Sequence, residues 1–370
     1  MNPLVAKITA EIEQNGPMTF ARFMERALYQ PELGYYERQK EIGRRGDFFT
    51  SVSVGSLFGE LLAFQFAEWL EELRIADCGL RIVEAGAHDG RLAADILNWL
   101  KKFRPQIFDA LEYWIIEPSA AHQQWQRETL KEFSPRIKWA RDFSALAQEF
   151  PAGLNGIIFS NELLDAMPVH RLSWNAEKKI WGEWLVDCDG QKFVWKLASV
   201  ATELAPRLPV VVPELAVVLP DGFTTEISPA ASEWWEQAAK ILQRGKLVAI
   251  DYGLSEEEFF QTERSGGTLR AFSKHHLNDD LLANPGEQDI TAHVNFTTLQ
   301  RAGEGAGLVT KTFCSQQKFL TLLAERTWKE PGIFGEWSSP RVKQFQTLTH
   351  PEHLGRAFRV LVQSKEFSRT

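Results

Sequence analysis

Arg81-Ile-Val-Glu-Ala-Gly-Ala-His-Asp-Gly-Arg-Leu92 and, further on, Trp114-Ile-Ile-Glu-Pro118 decide the reading of the fold. A short apolar run ends in Glu84. A glycine turn follows, and Leu92-Ala-Ala-Asp-Ile-Leu-Asn-Trp-Leu100 then repeats apolar residues at helical spacing. A second apolar run ends in the acid Glu117. Open α/β sheets build nucleoside sites in this way, at the carboxyl ends of their strands. Glycines at Gly86 and Gly90 let the backbone approach a ligand, and an acid ending the second strand can hold both hydroxyls of a ribose. A turn with a purely structural purpose is the alternative.

Outward from this stretch, apolar runs recur at Leu80 to Glu84, Tyr113 to Glu117, Gly156 to Ser160 and Lys246 to Asp251, with helix-length patterns between them. Such alternation predicts parallel pairing and a doubly wound α/β sheet of Rossmann-like type. The runs are almost wholly apolar, as expected of strands covered on both faces. Residues 1–77 read as a helical N-terminal extension. Thr19 is placed to cap one helix, and Leu57 to Leu73 form another. Residues 169–220 break the rhythm with three antiparallel strand patterns and an Asp189-Gly190 hairpin turn, an antiparallel β insertion. The expected core is therefore 78–168 and 221–325, with 326–370 closing it. Ser228-Pro-Ala is a helix start. The stretch 254–298 is polar and long for a connection, which suggests function.

Composition limits the functional classes. Of 370 residues, 44% are hydrophobic and 24% charged, which fits a folded globular chain. The net charge of −8 lacks the basic footprint of a nucleic-acid binder and is compatible with a basic protein substrate. The three cysteines, Cys78, Cys188 and Cys314, lie far apart and form no CxxC, so no zinc or disulfide framework is expected. No apolar run has membrane-spanning length, and the N-terminus resembles neither a signal nor a transit peptide. The expected location is the cytoplasm.

Acids fall at or just after strand ends: Glu84, Glu117, Asp142, Glu162 with Asp165, and Asp251. One such acid is ordinarily a cap or a solvated turn, but a convergent series is harder to explain that way. The arrangement puts Glu84 beside the amino-acid part of a ligand, Glu117 on its ribose and Asp142 facing a base amine. Phe143 would cover the base, or be core. In Ser160-Asn-Glu-Leu-Leu-Asp165, Asn161, Glu162 and Asp165 offer polar groups next to the ligand, with a capped short helix as the alternative. In Gly46-Asp-Phe-Phe-Thr-Ser51, Asp47 and Thr50 would close the pocket, unless they merely start a helix. The His-containing segments at 267–276 and 285–295 match no zinc spacing, so no metal is expected.

In this order the segments resemble the MidA family of class I S-adenosylmethionine-dependent methyltransferases, which includes the mitochondrial complex I assembly methyltransferase. The motifs are Gly34-Tyr-Tyr, Gly46-Asp-Phe-Phe-Thr-Ser, Leu57-Phe-Gly-Glu, Glu84-Ala-Gly, Glu117-Pro-Ser, Ser160-Asn-Glu-Leu-Leu-Asp-Ala-Met-Pro-Val-His, Glu226-Ile-Ser-Pro, Asp251-Tyr-Gly, Gly267-Thr-Leu-Arg-Ala and Asp289-Ile-Thr-Ala-His-Val-Asn-Phe. The resemblance implies a seven-stranded methyltransferase sheet, S-adenosylmethionine as cofactor, and methylation of a protein on arginine. It implies a protein substrate or client, a respiratory-complex subunit among the candidates. The oligomeric state stays open, a homodimer included. One departure stands out: His88 occupies the place of the family's middle glycine and would have to adopt a backbone conformation that side chains resist.

For an arginine acceptor, Glu162, Asp165 and Asp251 are the expected catalytic carboxylates and His293 a proton relay. A second reading is a catalytically weak binding protein that grips a client through the aromatic stretch Trp174 to Trp195. A third, a nicotinamide dehydrogenase, lacks the GxGxxG spacing.

Overall fold

The computed structural model describes residues 2–38, 50–73, 79–190, 192–209, 213–273 and 276–366. Asp47 lies outside the described residues. The chain divides into two compact units. One combines residues 1–41, 165–233 and 254–298; the other combines 42–164, 234–253 and 299–370.

The second unit carries the doubly wound sheet. Its seven strands are β1 Leu80–Ala85, β2 Leu111–Ile116, β3 Ile137–Ala140, β4 Leu154–Asn161, β5 Leu242–Leu254, β6 Val309–Ser315 and β7 Phe358–Lys365. They lie in the order β6-β7-β5-β4-β1-β2-β3. Pairing is parallel from β5 through β4, β1 and β2 to β3, whereas β7 runs antiparallel to both β5 and β6. The four apolar runs read from sequence are β1, β2, β4 and β5. Ile82, Ile115, Ile157, Phe159, Val248 and Ile250 are buried in one continuous core.

The chain leaves β1 toward β2 and β3 on one side, then crosses back to β4 on the other. That reversal makes the carboxyl ends of β1 and β4 the switch point, where open α/β sheets bind ligands. Helix Leu57–Glu72 packs on helix Arg91–Phe103, which follows β1. Gly59 permits this approach, since a Cβ there would stand 2.6 Å from the Cβ of Asp95.

The first unit holds helices Pro3–Asn15 and Phe20–Tyr29, the latter capped by Thr19, whose hydroxyl accepts the Arg22 N–H. Its larger sheet places Ile180–Asp189 between Lys192–Ser199 and His170–Asn175, with Thr224–Ile227 beyond and Met18–Thr19 also pairing with Ile180–Asp189. The hairpin turns at Gly190, which has φ +62°. The insertion is thus part of a larger unit that also takes in the N-terminal helices and residues 254–298. The last of these form a three-stranded sheet of Arg270–Ser273, His276–Asn278 and Asp289–Thr291 rather than a plain polar connection. Trp174 and Trp181 of the insertion are buried with Leu172 and Phe223, and the Trp195 ring lies 5.0 Å from that of Phe20. Trp174 and Trp181 are core, whereas Trp184 and Trp195 are half-buried. No helix of the described residues is long and apolar enough to cross a membrane.

Candidate functional site

Thr50, Val52, Ser53, Glu84, Gly86, His88, Asp89, Arg91, Asn161 and Glu162 line one pocket of the sheet-bearing unit. It sits at the switch point between β1 and β4. The pocket encloses about 80 Å³, room for an amino-acid headgroup and short of the roughly 300 Å³ of a whole small-molecule site.

The glycine turn forms the floor. Gly86 has φ +77°, and a Cβ there would meet Leu163 at 3.1 Å. His88 does adopt the left-handed conformation, at φ +46°. Its ring leans on His122 and Trp125, with centroids 5.5 and 5.7 Å away, and its carbonyl accepts the Gln126 side-chain N–H at 3.0 Å. The family departure is accommodated by a ring cluster on helix Ala120–Thr129.

Glu84 is the last residue but one of β1 and is 2% exposed. Tyr113 on β2 lies opposite Ile82, one diagonal step away on the same face, and its hydroxyl donates to Glu84 Oε2 at 2.7 Å. Burial pushes the Glu84 carboxyl up to about 7; Tyr113 opposes this and the charge of Asp89 adds to it. Tyr113 was not singled out in sequence. The available signal was that a tyrosine buried in a strand needs a partner for its hydroxyl.

Glu162 follows β4 at φ +52°, a conformation that a non-glycine residue holds only when its surroundings enforce it. Two groups do so. The Glu162 N–H donates to the Ile250 carbonyl at 2.9 Å, and its Oε1 accepts the Ser51 N–H at 3.1 Å and the Asn161 amide at 3.2 Å. Burial pushes the Glu162 carboxyl up to about 8, the Asp251 charge adds, and the Ser51 and Asn161 donors oppose. Asn161 Oδ1 is buried with no hydrogen-bond partner among the described residues. Thr50 caps the turn Ser51–Val54 through its hydroxyl, which accepts the Ser53 N–H.

Glu117 ends the second strand as read. Its Oε1 accepts the Ser119 N–H at 2.9 Å, and its Oε2 accepts from Gln126 at 3.0 Å and lies 3.3 Å from His122 Nδ1. A carboxylate has about four acceptor sites, so little capacity is left. Asp142 caps helix Phe143–Glu149 by accepting the Ala145 N–H at 2.8 Å. Phe143 is buried, edge-on to Trp234 at 5.2 Å.

The four expected catalytic residues do not fall in one unit. Glu162 and Asp251 belong to the sheet-bearing unit, Asp165 and His293 to the other. Asp251 is fully buried, and its Oδ2 accepts the N–H groups of Leu163 at 3.0 Å and Leu164 at 2.8 Å. Its carboxylate is committed to the turn after β4 and is no contact for an acceptor. In the other unit Asp165 is buried, and its carbonyl accepts the Ala292 N–H. Tyr36 donates to Asp289 at 2.8 Å there, and burial, with the charges of Asp289 and Asp165 among its neighbours, pushes the Tyr36 hydroxyl well up. Burial and the charges of Arg270 and Arg264 push His293 down to about 4, so it is neutral at pH 7 and a weak base. Among the described residues no His, Cys, Asp and Glu cluster suits a metal.

The residues present fit a cofactor with an amino-acid end. A buried carboxyl, a positive-φ glycine without room for a side chain, and an orphaned buried amide oxygen converge on one small pocket. Comparison with known proteins agrees. The family described as "Putative S-adenosyl-L-methionine-dependent methyltransferase" matches residues 61–314. The protein arginine methyltransferase NDUFAF7, mitochondrial, of Mus musculus is 28% identical over 332 residues, covering 82% of this chain and 70% of that protein. Its homologue in Drosophila melanogaster is 29% identical, covering 83% and 71%. A Burkholderia thailandensis protein solved bound to S-adenosyl-homocysteine superposes with a TM-score of 0.81 at 32% identity, covering 98% of this chain and 92% of that one. With its switch-point pocket, its sheet order and a family match over most of its length, this chain belongs to the S-adenosyl-L-methionine-dependent methyltransferase family that its motifs resembled.

Proposed function

We propose that the protein methylates arginine side chains of a protein substrate, with Glu162 as the carboxylate that receives the guanidinium. The names of the NDUFAF7 relatives support arginine as acceptor. The observation that carries the reading is Glu162 itself: a strained, half-buried carboxyl on the wall of the pocket, pushed up to about 8. Strain and a raised pKa together are features of functional acids.

S-adenosylmethionine supplies an electrophilic methyl group on a sulfonium. The rest concerns the chain. A guanidinium is always charged and a poor nucleophile. Its arrival beside Glu162 favours the ionised carboxylate, because an opposite charge lowers an acid's pKa. The carboxylate can then hold two N–H groups and concentrate the positive charge there. This leaves the remaining nitrogen to bond the methyl carbon as its bond to sulfur breaks; S-adenosylhomocysteine leaves, and the proton shed by that nitrogen passes to the Glu162 carboxylate. Asp251 positions this group by fixing the turn that carries it. His293 is kept neutral by burial and by the charges of Arg270 and Arg264, and it belongs to the other unit.

The test is mass spectrometry of client proteins after incubation with S-adenosylmethionine, using wild type and Glu162→Gln, with S-adenosylhomocysteine affinity measured on both. The expected result is methylarginine from wild type and none from the variant at equal cofactor affinity. Methyl groups on another residue type, or full turnover by the variant, would refute the reading.

A further inference from the structure

We infer that Tyr113 is a positioning residue for the cofactor: its hydroxyl locks the Glu84 carboxylate so that Oε1 faces the pocket to receive a primary ammonium. The inference rests on the reading that Glu84 meets the amino-acid end of the cofactor.

Three observations support it. The Tyr113 hydroxyl donates to Oε2 at 2.7 Å, and Oε1 accepts no hydrogen bond from the described residues. Tyr113 is fully buried on β2, so its ring cannot swing away without opening the core. Glu84 lines the pocket in company with Thr50, Ser53, His88, Asp89, Arg91, Asn161 and Glu162, polar groups available to a headgroup there.

The electrostatics give this contact a measurable consequence. Burial holds Glu84 at about 7, Asp89 pushes it further up, and the Tyr113 hydroxyl is the one group that favours the charged form. Tyr113 cannot compete for the role of acid, because burial and the Glu84 charge push its own hydroxyl well above the usual range. A hydrogen bond to the ionised form lowers an acid's pKa. Without that donor Glu84 retains its proton to higher pH, and a neutral carboxyl is a poor partner for an ammonium. The tyrosine therefore sets the pH above which the pocket accepts an amino-acid headgroup.

Isothermal titration of wild type, Tyr113→Phe and Glu84→Gln across pH 5.5 to 9 tests this. The probes are S-adenosylhomocysteine and 5′-methylthioadenosine, which keeps the adenosine and the sulfur but has no amino-acid end. Wild-type affinity for S-adenosylhomocysteine is expected to rise with pH as Glu84 ionises. Tyr113→Phe should move that midpoint up by about one unit and weaken binding about fivefold at neutral pH, leaving 5′-methylthioadenosine unaffected. An unmoved midpoint in Tyr113→Phe, with Glu84→Gln strongly weakened, would overturn the role of Tyr113 alone. Unchanged binding in Glu84→Gln would overturn the reading beneath it. Equal weakening of both ligands in Tyr113→Phe would make the tyrosine a packing residue and overturn the inference.

Discussion

The carboxylate of Asp251, near the carboxyl end of the fifth strand, accepts the backbone N–H of Leu164 at 2.8 Å, beyond the end of the fourth. With Leu163 bound to the same oxygen at 3.0 Å, one buried side chain fixes the turn in which Glu162 takes its left-handed backbone. The strain at Glu162 is sustained from the neighbouring strand.

Asp251→Ala should therefore damage both stability and binding. It orphans three backbone donors, those of Leu163, Leu164 and Tyr252, and the buried one, Leu164, alone costs about 1–3 kcal/mol. Thermal unfolding is expected several degrees lower, with weakened S-adenosylhomocysteine binding because Asn161 and Glu162 lose their fixed position. A variant that melts like wild type would show that the turn stands without Asp251.

Glu162 also gives the free protein a pH signature. Its folded pKa, about 8, lies above the ordinary value of 4.5. The protonated form is thus the one favoured by folding. Its contribution is complete below pH 4.5 and is lost as pH rises through about 8. Glu84, at about 7, acts in the same direction. Stability of the free protein should fall over this window, by at most about 1.4 kcal/mol per pH unit per group. Glu162→Gln keeps a neutral side chain of the same shape and should flatten the slope. Parallel melting-temperature profiles for wild type and variant would refute this.

His88→Gly is expected to be nearly neutral for stability. Glycine relieves a left-handed backbone worth about 1–2 kcal/mol. It gives back about 0.5–1 kcal/mol in chain entropy and about 0.5–1.5 kcal/mol in lost ring contacts with His122 and Trp125. Urea unfolding should place the variant within about 1 kcal/mol of wild type, with S-adenosylhomocysteine binding retained. A large loss would mean that the ring cluster, not the turn, holds the site.

Gly59→Ala should lower stability by about 1–2 kcal/mol. Helix propensity alone would favour alanine by up to about 1 kcal/mol. The added carbon would stand 2.6 Å from Asp95 Cβ, which forces the two helices apart, and overpacking of this kind costs about 1–3 kcal/mol. Urea unfolding gives the sign directly.

What was legible in the sequence was local. The strand–turn–helix around Glu84 and Gly86 could be read because a single short stretch carries its own pattern of burial and turn. The Thr19 cap and the Asp189-Gly190 hairpin were legible for the same reason. The pairing of Tyr113 with Glu84 depends on the register between two strands, and that no single stretch encodes. Asp251 read as one more acid at a strand end, because its service to Leu163 and Leu164 is visible only once the fifth strand lies beside the fourth. The gathering of residues 1–41, 165–233 and 254–298 into one unit is likewise non-local. Asp142 caps its helix and Phe143 packs on Trp234.

The antiparallel seventh strand has a consequence for biosynthesis. Phe358–Lys365 lies between β5 and β6 although it follows both in the chain. While the ribosome is still making residues 316–357, the edges of those two strands have no mate, and Gln363, which bonds Trp235 at 2.7 Å, has not emerged. Pairings of such long sequence separation form late and slowly. The nascent protein thus waits with an open seam in its sheet, a state in which exposed strand edges invite aggregation and chaperone capture.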